Sequence, residues 1–397
     1  MLIASEKALE IILNNTEDFG RENIPFIESL GRVLKEDISA DRDFPPFDRV
    51  SMDGVAINIE AFNKGQRNFK IEGVQAAGNE QLTLQNSDNC FEAMTGAVLP
   101  KNTNAVIQYE LTDTKDGIVT LKTDAVKHYK NIHKQGLDCE KGTVLITKNT
   151  LISAAEIGIL ATVGKSSVLV AKQPKVLIIS TGDELVEVDK MPKSHQIRRS
   201  NVYTLVSLLE ALNIKAETLH ISDDKALLKN KVNTVLNTYD VLLFSGAVSK
   251  GKFDFIPEVL DELGVEKLFH RVKQKPGKPF WFGKKGTKTL FAFPGNPVST
   301  FVSCLKYFHP WFQKSVGLQY NNPDKVILAC DYTFKSDLTY FLQVTLENKE
   351  GILYAHPLTG NGSGDLANLA QADAFIELPS NKSEFKKGEI FSVLSYR

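Results

Sequence analysis

Apolar positions change their spacing several times along this chain. Near the start, Leu9, Ile12 and Leu13 recur at helical intervals behind Ser5. That spacing predicts an amphipathic helix over 5–14 capped by Ser5. A second short helix is expected near 26–34, and the proline-bearing stretch 41–48 reads as extended. From about 55 to 138 short runs stand between turns: Phe69 to Gly73, Ala105 to Glu110, Gly117 to Lys122. They read as a mostly β region. Leu151, Ala155, Ile159 and Leu160 share one face of a predicted helix over 151–163, and 168–173 reads as a strand and linker.

From Pro174 the rhythm becomes strand–helix alternation. Strands are expected near Val176, Ala216, Val241, Phe280 and Leu290, and helices over 202–212, 225–235, 256–263 and 300–312. That alternation predicts a doubly wound α/β domain with a mainly parallel sheet. After Pro323 short β runs return near Val326, Phe341, Ile352, Ala374 and Ile390, which suggests a closed, barrel-like β domain. The fold class is therefore multidomain α/β plus β. The expected division is 1–40 with 141–173 as a helical and linker domain, 41–140 as a β-rich insert, 174–318 as the α/β domain and 319–397 as the barrel-like domain.

The α/β segment carries the candidate chemistry. Val241 to Phe244 reads as a buried strand running into the small, polar turn Ser245 to Gly251, with Asp254 where a helix would begin. Glycines let backbone N–H groups approach a ligand, and a helix start adds partial positive charge. The same grammar returns at Ser180-Thr181-Gly182-Asp183-Glu184. It returns again at Pro294-Gly295-Asn296-Pro297, where Asn296 is placed as an N-cap and Pro297 as the first helical residue. Each alone is consistent with an ordinary capped turn. In open α/β sheets ligands sit outside the carboxyl ends of strands, so all three turns are expected to line one crevice that binds a phosphate or oxyanion.

Composition narrows the partners. With 397 residues and a formal net charge of −1, bulk charge does not point to nucleic acid. A local basic run, eight Lys/Arg against Glu266 between Gly264 and Lys288, is interrupted by Phe280, Trp281 and Phe282. It suits one polyanionic small molecule or a solvated face. The four cysteines are far apart, so neither a zinc site nor a disulfide framework is indicated. No apolar stretch is long enough for a membrane helix and no leader is evident, which sets the expectation at cytoplasmic.

Several segments in order resemble one family. They are Pro45-Pro-Phe-Asp-Arg-Val-Ser-Met-Asp-Gly-Val-Ala56, Met94-Thr-Gly-Ala-Val-Leu-Pro100 with Asn104 to Glu110, and Gly136 to Gly142. Ser180 to Leu185, Ser200-Asn201, Ser245 to Asp254, Lys275-Pro-Gly-Lys-Pro279 and Pro294 to Ser299 follow. The set resembles the molybdopterin molybdenumtransferases of molybdenum-cofactor biosynthesis. The resemblance implies a homodimer whose α/β domain holds the pterin and nucleotide while the partner's β-rich domain closes the site. It implies an Mg²⁺-dependent enzyme that inserts molybdate into adenylylated molybdopterin with release of AMP, possible contacts with other enzymes of that biosynthesis, and no membrane or nucleic-acid partner.

On that resemblance Asp53, Glu184, Asp254, Lys275 and Lys278 are the expected catalytic residues. Thr95, Gly96, Thr181, Gly182, Ser245, Gly246, Ser249, Gly251, Pro294, Gly295, Asn296, Pro297 and Ser363 are expected to hold pterin, phosphate or nucleotide. Asp53, Asp138, Glu184 and Asp223 are the expected metal ligands, hard cations preferring oxygen. Asp224 reads as a helix cap. The chain departs from the pattern at Ala247, which stands for a second glycine, at Val55, which stands for an aromatic, and near Gln343, where an arginine is expected. Two other functions suit parts of the chain: molybdopterin adenylylation, which belongs to a related α/β domain, and a scaffold role like that of the gephyrin E domain. The Met52-Asp53-Gly54 motif argues against the first, and the intact acids and lysine against the second.

Overall fold

A computed structural model describes residues 2–246, 248, 254–320, 323–335 and 337–397. Its centre is a six-stranded sheet. In spatial order the strands are Ala216–Ile221, Val176–Thr181, Val241–Ser245, Lys288–Phe293, Trp281–Lys285 and Glu266–His270. The first four run parallel, and the last two form an antiparallel extension. Glu266–His270 was not expected from the pattern, because only Phe269 in it is buried.

Period-two alternation explains why this sheet is covered on both faces. Val176, Ile178, Val241, Leu243, Phe291 and Phe293 enter one core, whereas Leu177, Ile179, Leu242, Phe244, Leu290 and Ala292 enter another. The helix Ser200–Glu210 closes the first with Val202, Leu205 and Leu209. Helices Lys225–Val235 and Ile256–Glu262 close the second. Full burial of each such side chain contributes about 1.5–3 kcal/mol, so the doubly wound arrangement follows from the pattern.

The N-terminal helix Ser5–Leu13 packs Ala8, Leu9 and Ile12 into the first of these cores. The sequence reading groups it instead with 141–173, whose own core is Leu34, Ile38, Ile146, Ile152, Leu160, Val168 and Val170. Ser5 is also not the cap. Ala4 precedes the helix, and the fully buried Ser5 turns its hydroxyl to Tyr307. The expected helix over 26–34 is a single 3-10 turn, Phe26–Glu28. The helix Ala154–Thr162 starts later than its apolar face suggested, because Ser153 and Glu156 form a capping box that leaves Leu151 outside.

The β-rich region forms a second six-stranded sheet, in spatial order Ala105–Gln108, Gly54–Ile57, Asn89–Ala93, Asn68–Gln75, Ile118–Leu121 and Thr112–Lys115. Val55 is fully buried in its core. Near the C-terminus Thr339–Lys349, Ile352–Pro357, Lys325–Leu328, Ile390–Ser395 and Ala374–Leu378 pair in sequence, and the last pairs back on the first, closing a five-stranded barrel. One further short strand, Gln274–Lys275, joins this barrel at Thr339 and Tyr340. Among the described residues no helix is long and apolar enough to cross a membrane.

Candidate active-site crevice

The carboxyl ends of the three central parallel strands open on a crevice of about 300 Å³. Thr181, Gly182 and Glu184 contribute one wall, Ser245, Gly246 and Asp254 a second, and Pro294, Gly295 and Pro297 a third. Asp223, from the turn after strand Ala216–Ile221, completes the group. All three predicted turns therefore meet. Gly246 shows why its turn takes glycine: its φ is +102°, and a Cβ there would lie 3.3 Å from the Thr181 carbonyl oxygen. Ala247, Ser249 and Gly251 lie outside the described residues.

Acid is concentrated on one side. Asp223 and Asp183 are bound reciprocally: the Asp223 amide donates to Asp183 Oδ1 at 3.1 Å, and the Asp183 amide to Asp223 Oδ2 at 3.4 Å. Burial pushes the Asp223 carboxyl above the usual aspartate range; the Asp183 N–H opposes that, and Asp183, Glu184 and Asp254 push it further up. Asp254 is not the helix cap. Phe255 occupies that position and the helix begins at Ile256. Asp224 does cap its helix, accepting from the Leu227 N–H.

Asn201 and Arg199 also line this crevice, and neither is among the expected site residues. Asn201, near the start of the helix Ser200–Glu210, donates through Nδ2 to Ser245 Oγ at 3.1 Å and to the Gly295 carbonyl at 2.7 Å. It also lies 3.4 Å from Thr300 Oγ1. One side chain thus ties the second wall to the third. Arg199 is 7% exposed and lines the crevice, its guanidinium held by Glu187 at 2.7 Å and reaching Ser180 Oγ at 3.4 Å. The Ser200-Asn201 motif was the available signal for Asn201. Arg199 had none, because the short pairing of Leu185–Val186 with Ile197–Arg198 beside it leaves no apolar period.

A second cavity, of about 660 Å³, lies beyond the Pro294–Pro297 turn, between the α/β sheet and the barrel. Lys275, Lys278, Asn296 and Ser363 line it. Asn296 begins the helix Pro297–Ser303 without capping it by its side chain, which donates to Ser363 Oγ at 2.6 Å. Both lysines are exposed. Lys273 is taken by Asp337 at 2.9 Å, whereas Lys275 faces the Phe334 and Tyr340 rings at 5.2 and 5.8 Å. Gln343 also lines this cavity, 8% exposed, with Oε1 lacking a hydrogen-bond partner.

Asp53, Thr95, Gly96 and Asp138 line neither cavity. The Thr95 N–H donates to Asp53 Oδ1 at 2.6 Å and holds the Asp53 carboxyl below the usual range. Asp138 lies 2.7 Å from His133 Nε2. The four expected metal ligands are therefore split between the β-rich region and the crevice. Among the described residues no three His, Cys, Asp or Glu are grouped to hold a metal ion.

Family models match most of the chain. Residues 3–164 match the MoeA N-terminal region (domain I and II), 177–314 a probable molybdopterin binding domain, and 325–396 the MoeA C-terminal region (domain IV). The molybdopterin molybdenumtransferase of Synechocystis sp. is 40% identical over 395 residues, 98% of this chain and 99% of that protein. The chain belongs to the molybdopterin molybdenumtransferase family. The Bacillus subtilis molybdenumtransferase is 31% identical over 93% of this chain and 88% of its own length. The solved molybdopterin biosynthesis moeA protein of Pyrococcus horikoshii OT3 superposes with a TM-score of 0.85, at 28% identity and full coverage of both chains.

Proposed function

We propose that this chain is a molybdopterin molybdenumtransferase: it inserts molybdate into adenylylated molybdopterin and releases AMP. The observation that carries the reading is the junction of two cavities at the Pro294–Pro297 turn, one walled by strand-end turns and acids, the other by the exposed turn carrying Lys275 and Lys278. Strand-end turns and a helix start suit a phosphate-bearing pterin nucleotide. Exposed lysines suit the molybdate oxyanion. In this reading the crevice holds the phosphoanhydride through Thr181, Gly182, Ser245, Gly246, Pro294, Gly295 and Pro297, with Ser249 and Gly251 as further candidates. Asn296 and Ser363 hold the second cavity's rim against it. Lys275 and Lys278 draw molybdate beside the dithiolene and offset charge as the anhydride is cleaved.

Mg²⁺ fits the donor set. Asp223 and Glu184 are hard carboxylates in an acid-rich crevice, and a cation there offsets the burial that chiefly raises the Asp223 carboxyl and the repulsion from neighbouring acids that adds to it. Mg²⁺ commonly uses one or two carboxylates, waters and substrate phosphate, so a preformed set of three protein ligands is not required. When bound, it would neutralise phosphate charge, and Asp254 would hold a neighbouring water or proton. Asp53 and Asp138, with Thr95 and Gly96, act from the β-rich region of the partner in a homodimer, because in their own chain they lie apart from both cavities. The reading divides the chain into four domains near the boundaries given above, with the helix Ser5–Leu13 assigned to the α/β domain.

The test is molybdate-dependent AMP release from adenylylated molybdopterin by the purified protein with Mg²⁺. Release that does not require molybdate, or none with substrate bound, overturns the reading.

A further inference from the structure

The lysine turn hangs on a buried polar relay. Gln274, immediately before Lys275, is fully buried. The Tyr307 hydroxyl donates to its Oε1, and its Nε2 donates across the turn to the Gly277 carbonyl at 3.3 Å. Tyr307 is itself fully buried, on the π-helical turn Cys304–Phe308. Ser5 Oγ lies 3.1 Å from the same hydroxyl and 3.5 Å from Glu377 Oε1, and Glu377 Oε2 accepts from Lys306 at 2.6 Å. The relay therefore spans the N-terminal helix, the α/β layer and the barrel.

The turn fits closely on this base. Gly277 has φ +92°, and a Cβ there would meet Gln274 Nε2 at 2.8 Å and Ser303 Oγ at 3.0 Å. Both flanking lysines thus rise from a backbone with little room to shift. The strand residues Gln274 and Lys275 add a second restraint through their pairing with Thr339 and Tyr340. Buried, fully connected polar groups of this kind fix one geometry rather than many.

We infer that Gln274 and Tyr307 are positioning residues for molybdate: their hydrogen bonds set where the Lys275 and Lys278 ammonium groups stand in the second cavity. This rests on the lysine turn being the molybdate subsite. Neither side chain lines the reaction as a donor of charge. Each acts through the lysines, and preorganisation of a charged pair governs the affinity for the anion it receives.

The full-length protein tests this with three variants. Tyr307→Phe keeps the ring stacked on Phe280, whose centroid is 4.8 Å away, and removes only the hydroxyl. Gln274→Met keeps the bulk and removes both bonds. Lys275→Met serves as the reference for the subsite. AMP release is measured with molybdate and adenylylated molybdopterin varied separately, and molybdate binding is titrated directly by calorimetry. Both relay variants are expected to raise KM and Kd for molybdate about tenfold, with KM for adenylylated molybdopterin within about twofold, the pattern of lost binding at one substrate only. Unchanged molybdate constants beside a clear Lys275→Met defect overturn the inference. So does a fall in kcat alone or in thermal stability alone, which a merely structural role produces. If Lys275→Met itself leaves molybdate affinity unchanged, the subsite reading fails and the inference falls with it.

Discussion

Asp183 and Asp223 each donate a backbone N–H to the other's carboxylate, at 3.4 and 3.1 Å, across the acid side of the crevice. Burial, with Asp183, Glu184 and Asp254 nearby, makes the ionised Asp223 carboxylate a stability cost that a cation can relieve, although the Asp183 N–H offsets part of it. Because the Asp223 carboxyl is raised in the folded state, its contribution is favourable at low pH and is lost as pH rises through the folded value. Ionised Asp223 therefore destabilises the protein at neutral pH. Asp223→Asn, which keeps an oxygen acceptor, should raise Tm at pH 7 by on the order of 2 °C. The gain should vanish below about pH 3, where the carboxyl is protonated in both states. AMP release should fall. A lower Tm at pH 7 would contradict the assignment of strain to this carboxylate.

Asn201 offers a second measurement. It joins Ser245 to Gly295 and so holds two crevice walls at a fixed separation. Asn201→Ala should cost about 0.5–1.5 kcal/mol in denaturant unfolding, the net contribution of an ordinary hydrogen bond, because its bond to Gly295 is exposed and that to Ser245 only half-buried. It should also lower AMP release more than that loss of folded protein explains. Asn201→Asp is the sharper probe, since it removes the amide donor and adds negative charge where phosphate is proposed to sit.

The separation of Asp53 from both cavities leads to a complementation experiment. Asp53→Ala and Lys278→Met should each abolish activity in homodimers. Co-expressed, they should form mixed dimers with one intact shared site, recovering about one quarter of wild-type turnover. No recovery in verified mixed dimers would mean that Asp53 serves its own chain.

Lys306 and Glu377 form an ion pair at 2.6 Å, with side chains 7% and 14% exposed. Removing one partner leaves a buried charge, which costs about 3–5 kcal/mol. Glu377→Gln should therefore lower stability by about that amount in chemical denaturation. A paired Lys306→Met, Glu377→Leu change should recover most of it. Equal loss in the single and paired variants would assign the cost to packing.

The doubly wound sheet was legible because its strands alternate into two cores and its helices carry one apolar face each. The three strand-end turns were legible for the same reason: each follows a buried run. Other features were hidden by tertiary context. Ser5 reads as a cap, but the buried Tyr307 hydroxyl takes its side chain. The helix Ser5–Leu13 reads as part of the N-terminal region by proximity along the chain, yet apart from Val33 it packs on core residues beyond 170. Arg199 and Gln274 are polar residues with no period to reveal burial, and each is held by partners remote in sequence or on an irregular loop. The division of Asp53 from Glu184 lies beyond any linear pattern, since no spacing along the chain shows that the strand after Asp53 and the strand before Glu184 belong to different sheets.

The two-residue strand Gln274–Lys275 belongs by chain to the α/β layer and by hydrogen bonding to the barrel. That double membership makes the barrel more than an appendage. Cutting the chain after 318 would strip the lysine turn of Thr339 and Tyr340 and open the base on which Gln274 rests. An excised α/β fragment would keep its sheet and its crevice but present the two lysines on a slack loop. The barrel and the lysines are thus geared together: rotation of the barrel about its junction with the sheet carries the two charges with it. Any exchange of barrels between relatives must match this two-residue graft before it can keep Lys275 and Lys278 where they stand.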